Sequence, residues 1–461
     1  MTEKLRLFKE GIKGKRVTVI GIGVSNLPLI RFLAQNGAEV TACDRREADE
    51  LTEERAQLGK YSVTYHLGDN YLDNIDADII FKTPGMRFDT PALVEARARG
   101  SVVTSEMEVF FDLCPAKIIA VTGSDGKTTT TTLISEMLKK EGFTVWLGGN
   151  IGRPLLGDIE QIKESDIAVL ELSSFQLHTM KASPNIAVVT NLSPNHLDMH
   201  KNMDEYIDAK KNIFLHQLTG ERLVLNYDND ITRGFAAEAV NPPIFFSRKE
   251  EVEHGVYLKD GTVYYGTEAV LKASEIRIPG VHNVENYMAA IGALWGMVSA
   301  ATVRTVAREF GGVEHRIEFV RELDGIKFYN DSIASSPTRA SAGLHSFDQK
   351  VILIAGGYDK HIPFDSFGPV LKECVKSLFL IGVTAPKIEK AATDAGMNKG
   401  DITRCETLAE ATQKAYDAAR AGDVVILSPA CASFDMFKNF AVRGDAFKQL
   451  VNALSYGESK R

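Results

Sequence analysis

The stretch from Ile118 to Leu138 reads IIAVTGSDGKTTTTTLISEML. A glycine turn running into Lys127, Thr128 and Thr129 is the residue set of a phosphate-binding loop. Backbone N–H groups and a helix N-terminus attract the anion, the lysine reaches the outer phosphates, and a threonine hydroxyl can sit on Mg²⁺. The spacing departs from the common G-x-x-x-x-G-K-[ST]. Position 121 is Val121, and the first glycine is Gly123, so Gly123, Ser124, Asp125 and Gly126 make a shorter G-x-x-G-K-T loop. Other polar residues close apolar runs: Asn150 after WLGG, Glu171, Ser173 and Ser174 in LELSS, and Asn191, His196 and Asp198 in TNLSPNHLD. Glu171 and His196 are candidate metal ligands. A carboxylate suits Mg²⁺, whereas imidazole suits it poorly, and a lone histidine is more often structural. In DEYIDAKKNIF, Lys210 and Lys211 read as a solvated pair on a helix, and nothing local separates them.

These residues need a parallel sheet to bring them to one edge, and the chain is patterned for several. Short apolar β-branched runs alternate with helical patterns, the signature of α/β domains. RVTVIGIG (16–23), a helical SNLPLIRFLAQNG and EVTACD (39–44) open a dinucleotide-type unit, with further strands near 78–85 and 102–106. Its turn GIGVSN has Gly21 and Gly23 but Asn26 at the third glycine position, so a nucleotide site and a plain structural turn both fit it. Asp44 ends the second strand, where a ribose-binding acid would stand. KIIAVTG restarts the pattern near Pro115, followed by strands in TVWLGG, DIAVLELSS, NIAVVTNLS and RLVLNYD. A hairpin centred on Asp260-Gly261 follows. A third α/β unit begins after FGGVEHR (310–316), with strands in IKFYND, KVILIAGG, SLFLIG and DVVILSP. The run AAIGALWGMVSAA (289–301) is too short to span a bilayer and predicts one buried helix.

Bulk composition narrows the class. The chain has 461 residues, 44% hydrophobic and 25% charged, with a formal net charge of −8. That length implies several domains, and the negative balance argues against nucleic-acid binding by bulk charge. Cys43, Cys114, Cys374, Cys405 and Cys431 are scattered without a C-x-x-C pair, which predicts reduced thiols and a cytoplasmic protein. The opening MTEKLRLFKEGIKGKR lacks the apolar core of a signal peptide. In the C-terminal part, YNDSIASSPT, GGYDKHIPF and LSPACASFDMFKNFAVRGDAF place hydroxyls and the cations His315, Arg316, Lys360 and Arg443 after strands. That inventory suits a carboxylate-bearing substrate and the far side of ATP.

Taken together, TGSDGKTT, GGNIG, LELSSFQL, NLSPNHLDMH, DAKKNIF, GVHNVENYMAA, EHRIEF, NDSIASSP, GGYDK and LSPACASFDMFKNFAVRGDAF occur in the order found in the Mur ligases of bacterial cell-wall synthesis. The chain resembles that family over nearly its whole length, and the short phosphate loop is the family's version. ELSSFQL and the C-terminal motif point to the branch that adds D-glutamate. The resemblance implies an ADP-forming ligase acting on UDP-N-acetylmuramoyl-L-alanine, D-glutamate and ATP. ATP converts a carboxylate to an acyl phosphate, and the amino acid's amine displaces phosphate. It implies a UDP-substrate domain over 1–110, a central ATP domain over 111–312 and a closing domain over 313–461. It also implies two Mg²⁺ ions, a monomer, no nucleic acid and no membrane insertion.

Carried over residue by residue, the resemblance gives Lys127, Glu171, His196 and Lys210 the catalytic work, with Thr128, Glu171, His196 and Lys210 at the metals. Lys210 is N6-carboxylated in this reading. Gly123 to Thr129, Asn150, Asn283, Arg316 and Asp331 face ATP. Val24, Ser25, Asp44, Arg45, Thr83, Pro84, Gly85, Ser173 and His196 face the UDP substrate. Lys360, Ser433 and Phe440 face D-glutamate. Ile333 stands where the family often has lysine, and it is left out of the site. Three alternatives remain at this level: a sister ligase with another amino acid, a phosphate-loop ATPase or kinase without ligation, and a dehydrogenase using GIGVSN.

Overall fold

The structure is a computed structural model that describes residues 2–23, 26–193 and 200–455. Val24, Ser25 and His196 of the expected site lie outside those residues. The chain forms two compact units, one of Met1–Ala273 with Val284–Val306, the other of Ser274–Asn283 with Ala307–Arg461.

The first unit holds two sheets. The smaller runs Val63–Leu67, Glu39–Asp44, Arg16–Ile20, Ile79–Phe81, Val102–Thr104 in space, all parallel. Val17, Val19 and Ile20 are buried, as expected of a central parallel strand covered on both faces. The chain grows outward from Arg16–Ile20 in one direction and then returns to its other side at Ile79–Phe81. The crevice where strand order reverses is the usual ligand position in such sheets. There Gly21, at φ 92°, meets the turn at Thr83, whose Cβ would be 3.3 Å from a Cβ on the glycine.

The larger sheet has nine strands. Lys117–Thr122 sits between Ile186–Val189 and Ile167–Glu171, with Val145–Gly149 at one edge. On the other side follow Arg222–Asn226, Ile244–Ser247 and Val256–Lys259, then two antiparallel strands, Thr262–Tyr265 and Glu268–Lys272. Asp260 and Gly261 have φ of 46° and 72°, so the expected hairpin turn carries positive φ at both central residues. One apolar cluster runs through both sheets of this unit, from Val17, Leu33 and Phe110 to Leu156, Leu170 and Phe214. Burying each such side chain contributes on the order of 2 kcal/mol.

The expectation of one helix over 289–301 is corrected. Helix Val281–Leu294 takes the first half, Gly296 at φ 78° ends it, and Ala300–Glu309 begins anew. The Ser299 hydroxyl accepts from Thr302 N at 3.2 Å, so the polar residue inside the apolar run caps a second helix.

The second unit contains six strands in the order Glu318–Leu323, Ile326–Asn330, Val424–Leu427, Val351–Gly356, Val375–Ile381, Ile402–Arg404. Only the first pair is antiparallel. Asp331, Ser428 and Gly356-Gly357 therefore gather at one edge. All five cysteines are free. Among the described residues no helix is long and apolar enough to cross a membrane.

Candidate functional site

The phosphate loop is built as its residue types require. Gly126 adopts φ 77° as it caps helix Lys127–Glu141, and Gly123 adopts φ 147°. A Cβ on Gly126 would collide with Asn286 Oδ1, and one on Gly123 with Thr190 Oγ1. Both glycines thus meet a conformational and a steric demand. The walls are polar: Asp125 N donates to Asn191 Oδ1 at 3.0 Å, Thr190 Oγ1 donates to Asp125 O at 2.6 Å, and Ser193 N donates to Ser124 Oγ at 3.0 Å. Lys127 Nζ donates to Gly123 O and Ser124 O, both at 2.8 Å, so its ammonium is folded over its own loop. The first N–H groups of the helix have no intrahelical acceptor and are oriented to meet an anion.

Lys210 is brought to this loop from helix Met203–Lys211. It is 1% exposed, and its Nζ donates to Thr122 Oγ1 and Gly123 O, both at 3.0 Å. The Tyr206 ring lies 4.9 Å below the nitrogen, and the Tyr206 hydroxyl is 3.0 Å from Ser124 Oγ. Burial, and then the positive charge of Lys127, hold the Lys210 amine well below the ordinary lysine pKa. The solvated-pair expectation thus fails for Lys210; Lys211 is itself partly buried and pairs with Glu238 at 2.8 Å and Asp208 at 3.5 Å.

Glu171 ends the strand beside the loop and is 2% exposed. Its Oε1 accepts from Asn150 Nδ2 at 2.8 Å, while among the described residues Oε2 has no hydrogen-bond partner. A buried carboxylate oxygen left without a donor is costly, and a divalent cation would complete it. With Thr128 at the start of the helix, this donor set fits Mg²⁺.

The structure brings Gly123 to Thr129, Asn150, Glu171 and Lys210 to one sheet edge. The remaining candidates make the following contacts. Ser173 caps a short helix: its Oγ and backbone N both donate to Gln176 Oε1 at 2.9 Å. Asp44 accepts from Ile22 N at 2.7 Å and from Arg46 at 2.9 to 3.2 Å, so it shapes the glycine turn, and Arg45 beside it is exposed. Thr83, Pro84 and Gly85 form the turn facing Gly21. Pro84 also lines a cleft of about 230 Å³ with Asn26, Lys82, Glu106, Asn150 and Gln176.

Glu106 accepts from Leu156 N at 2.9 Å, and burial pushes its carboxyl up to about 7 from the ordinary 4.5. The folded state then holds a proton that the unfolded chain loses near pH 4.5. Its contribution is present below that pH and is lost as pH rises through about 7. Glu106→Gln should therefore remain roughly 1–3 kcal/mol more stable than the parent at pH 8 while matching it at pH 4.5. Urea midpoints at the two values measure this, and equal differences at both would contradict it.

In the second unit, Asp331 accepts from Ser428 Oγ at 2.8 Å and Ile317 N at 3.3 Å, and burial pushes it up to about 7. His315 has φ 62° and is buried, with Nδ1 3.0 Å from Asn330 Nδ2; Arg316 is half-buried. Asn283 Nδ2 donates to Pro279 O at 2.6 Å. Arg443 is wholly buried. Its guanidinium donates to Ser332 Oγ and to the carbonyls of Ser332, Cys431 and Ala432, which fixes the loop that ends in buried Ser433. The Phe440 carbonyl accepts from Ser332 Oγ at 2.7 Å, while Lys360 is exposed with Nζ 5.9 Å from the Phe434 ring.

Sequence reasoning missed Asn286, Tyr206, Thr190 and Arg46. Asn286 Oδ1 accepts from Thr130 Oγ1 at 3.2 Å beside the loop. Its spacing of three from Asn283 on a helix was the available signal.

Three family models match the chain: the Mur ligase MurD-like N-terminal domain over residues 15–105, the Mur ligase middle domain over 121–294, and the Mur ligase glutamate ligase domain over 315–431. The UDP-N-acetylmuramoylalanine–D-glutamate ligase of Acetivibrio thermocellus is 58% identical, covering 98% of this chain and 100% of that protein. The chain belongs to the Mur ligase family. A second Mur ligase, the UDP-N-acetylmuramoylalanine–D-glutamate ligase of Ruminiclostridium cellulolyticum, is 53% identical over 98% of this chain and 100% of its own. Among solved structures, the UDP-N-acetylmuramate–alanine ligase of Thermotoga maritima shares the Mur ligase fold, with a TM-score of 0.60 at 20% identity over 95% of this chain and 99% of its own.

Proposed function

We propose that this Mur ligase joins D-glutamate to UDP-N-acetylmuramoyl-L-alanine at the expense of ATP, in peptidoglycan precursor synthesis. The likeness to D-glutamate ligases over 98% of the chain carries the choice of substrates. The convergence of Lys127, Lys210 and Glu171 on one glycine loop supports the chemistry. The nucleotide sugar belongs to residues 1–110, ATP to 111–312, and D-glutamate with the far side of ATP to 313–461.

A carboxylate is a poor electrophile, so its oxygen first attacks the γ-phosphorus of ATP, and ADP leaves. The loop N–H groups and Lys127 hold the outer phosphates and stabilise the charge that develops on the transferring group. A divalent ion at Glu171 and Thr128 would offset the charges of ATP and carboxylate as they approach. Asn150 holds the Glu171 carboxylate in place.

Lys210 enters as a carbamate. Its depressed basicity leaves a neutral amine whose nitrogen can attack CO₂, forming an N–C bond and releasing one proton. The product is an anion, so Lys127, which disfavoured an ammonium at Lys210, attracts the carbamate, and His196 would share the second metal with it. In the second step the amine of D-glutamate attacks the acyl carbon, loses a proton, and phosphate departs. Lys360 pairs with a substrate carboxylate, Ser433 donates to it, and Phe440 sets the pocket wall.

This reading has an isotopic signature. When the acceptor carboxylate carries ¹⁸O, one labelled oxygen should appear in the released phosphate for each turnover. Unlabelled phosphate would contradict an acyl phosphate.

A further inference from the structure

The helix bearing Lys210 is gripped at both ends. At Lys210 and Tyr206, four residues apart and so on one face, it holds the loop through Thr122, Gly123 and Ser124. At its first turn, Glu205 meets Arg87, which lies in the loop between strand Ile79–Phe81 and helix Pro91–Ala98. Arg87 Nη2 is 2.9 Å from Glu205 Oε1 and Nη1 is 3.2 Å from Oε2. The same guanidinium meets Asp89 through Nε at 2.8 Å and Nη2 at 2.9 Å. Glu205 also accepts from Lys201 N at 2.6 Å, and the rings of His178 and His200 approach it at 3.8 and 3.6 Å. Arg87 follows the Thr83-Pro84-Gly85 turn by two residues. A forked guanidinium with a paired carboxylate on each side fixes direction as well as distance.

We propose that Arg87 is a positioning residue which, through Glu205, couples the turn serving the nucleotide sugar to the helix that presents Lys210 to the phosphate loop. The inference rests on the reading of Lys210 given above. The effect of Arg87 runs along the turn, the Arg87–Glu205 fork and the helix, and ends at Thr122 and Gly123. The pairing is tight: hydrogen bonds from Arg87 hold the carboxyls of both Asp89 and Glu205 down at about 2, against ordinary values of 3.8 and 4.5. The fork is a quarter exposed on the arginine side and 15% exposed on the glutamate side. It is thus partly shielded from the solvent that makes surface pairs worth little. A shift of about an ångström at a reacting centre can lower a rate on the order of 10²-fold, so a loosened helix should be felt in turnover.

The test uses Arg87→Met, Arg87→Lys, Glu205→Gln and the Arg87→Met/Glu205→Gln double variant of the full chain. Expected for Arg87→Met is a kcat lower by roughly 10-fold, an ATP KM within about twofold of the parent, and faster amide exchange confined to residues 203–211. Arg87→Lys should recover part of kcat, and the double variant should be no slower than Arg87→Met. Should Arg87→Met fail to fold, the near-isosteric Glu205→Gln carries the same expectations. A kcat within twofold in Arg87→Met, or single losses that multiply in the double variant, would overturn the coupling. Assaying Lys210→Ala alongside separates the two claims: an active Lys210→Ala sinks the reading of Lys210, whereas an inactive one with a fast Arg87→Met sinks only this inference.

Discussion

Lys127→Ala is expected to lower ligation by at least 10²–10³-fold, the usual scale for removing one preorganised charge contact to a transferring phosphoryl group. The lysine is the loop's own cation, and its Nζ already sits 2.8 Å from Gly123 O and Ser124 O. The loss should appear in kcat as well as in the ATP KM, because charge on the phosphoryl oxygens redistributes in the transition state. The fold should tolerate the change, since Lys127 is half-buried at the helix start and alanine is a good helix former. Steady-state rates with the melting temperature as control check this. Turnover near the parent's would contradict the ATP site placed at this loop.

Lys210→Ala should be nearly inactive and, unlike Lys127→Ala, should regain part of its activity with added formate or acetate. A small carboxylate can occupy the space that a carbamate would fill, whereas it cannot replace an ammonium. The surroundings support this sign. Lys210 is 1% exposed, the charge of Lys127 opposes its protonation, and Tyr206 and Thr122 frame the nitrogen. Lys211→Ala is the control, because that side chain pairs with Glu238 and Asp208 and lies over the Phe235 ring, away from the loop. Equal behaviour of the two lysines, or full activity in Lys210→Ala, would contradict the carbamate.

How much could be read beforehand follows from the physics of each element. Central parallel strands such as Lys117–Thr122 and Val351–Gly356 are buried on both faces, so they stand out as unbroken apolar runs. Val63–Leu67 and Ile402–Arg404 were not anticipated. They are edge strands, short and only half-buried, with no apolar run to mark them. The run at 289–301 misled because hydropathy does not register a left-handed Gly296 or a capping Ser299.

At the site, Gly123, Gly126 and Lys127 were legible because a phosphate loop is local in sequence. Lys210 was not legible from its own surroundings. What separates it from Lys211 is burial against Thr122 and Gly123, nearly ninety residues away in the chain. Arg46 and Asn286 were missed for the same reason: each acts on a loop distant in sequence, Arg46 through Asp44 and Ile22, and Asn286 through Thr130. Asp44 was noticed for its position, yet its hydrogen bonds go to the backbone of the turn and to Arg46.

The most direct measurement is ADP release by the full chain with UDP-N-acetylmuramoyl-L-alanine present, screened across amino acids. D-Glutamate should support release, and L-glutamate should be at least tens of times poorer. In the proposed pocket two fixed carboxylate contacts would leave only one enantiomer with its amine facing the acyl phosphate, and a misplaced amine costs on the order of 10²-fold. Release without the nucleotide sugar, or equal release with L-alanine, L-lysine or L-glutamate, would contradict D-glutamate ligation.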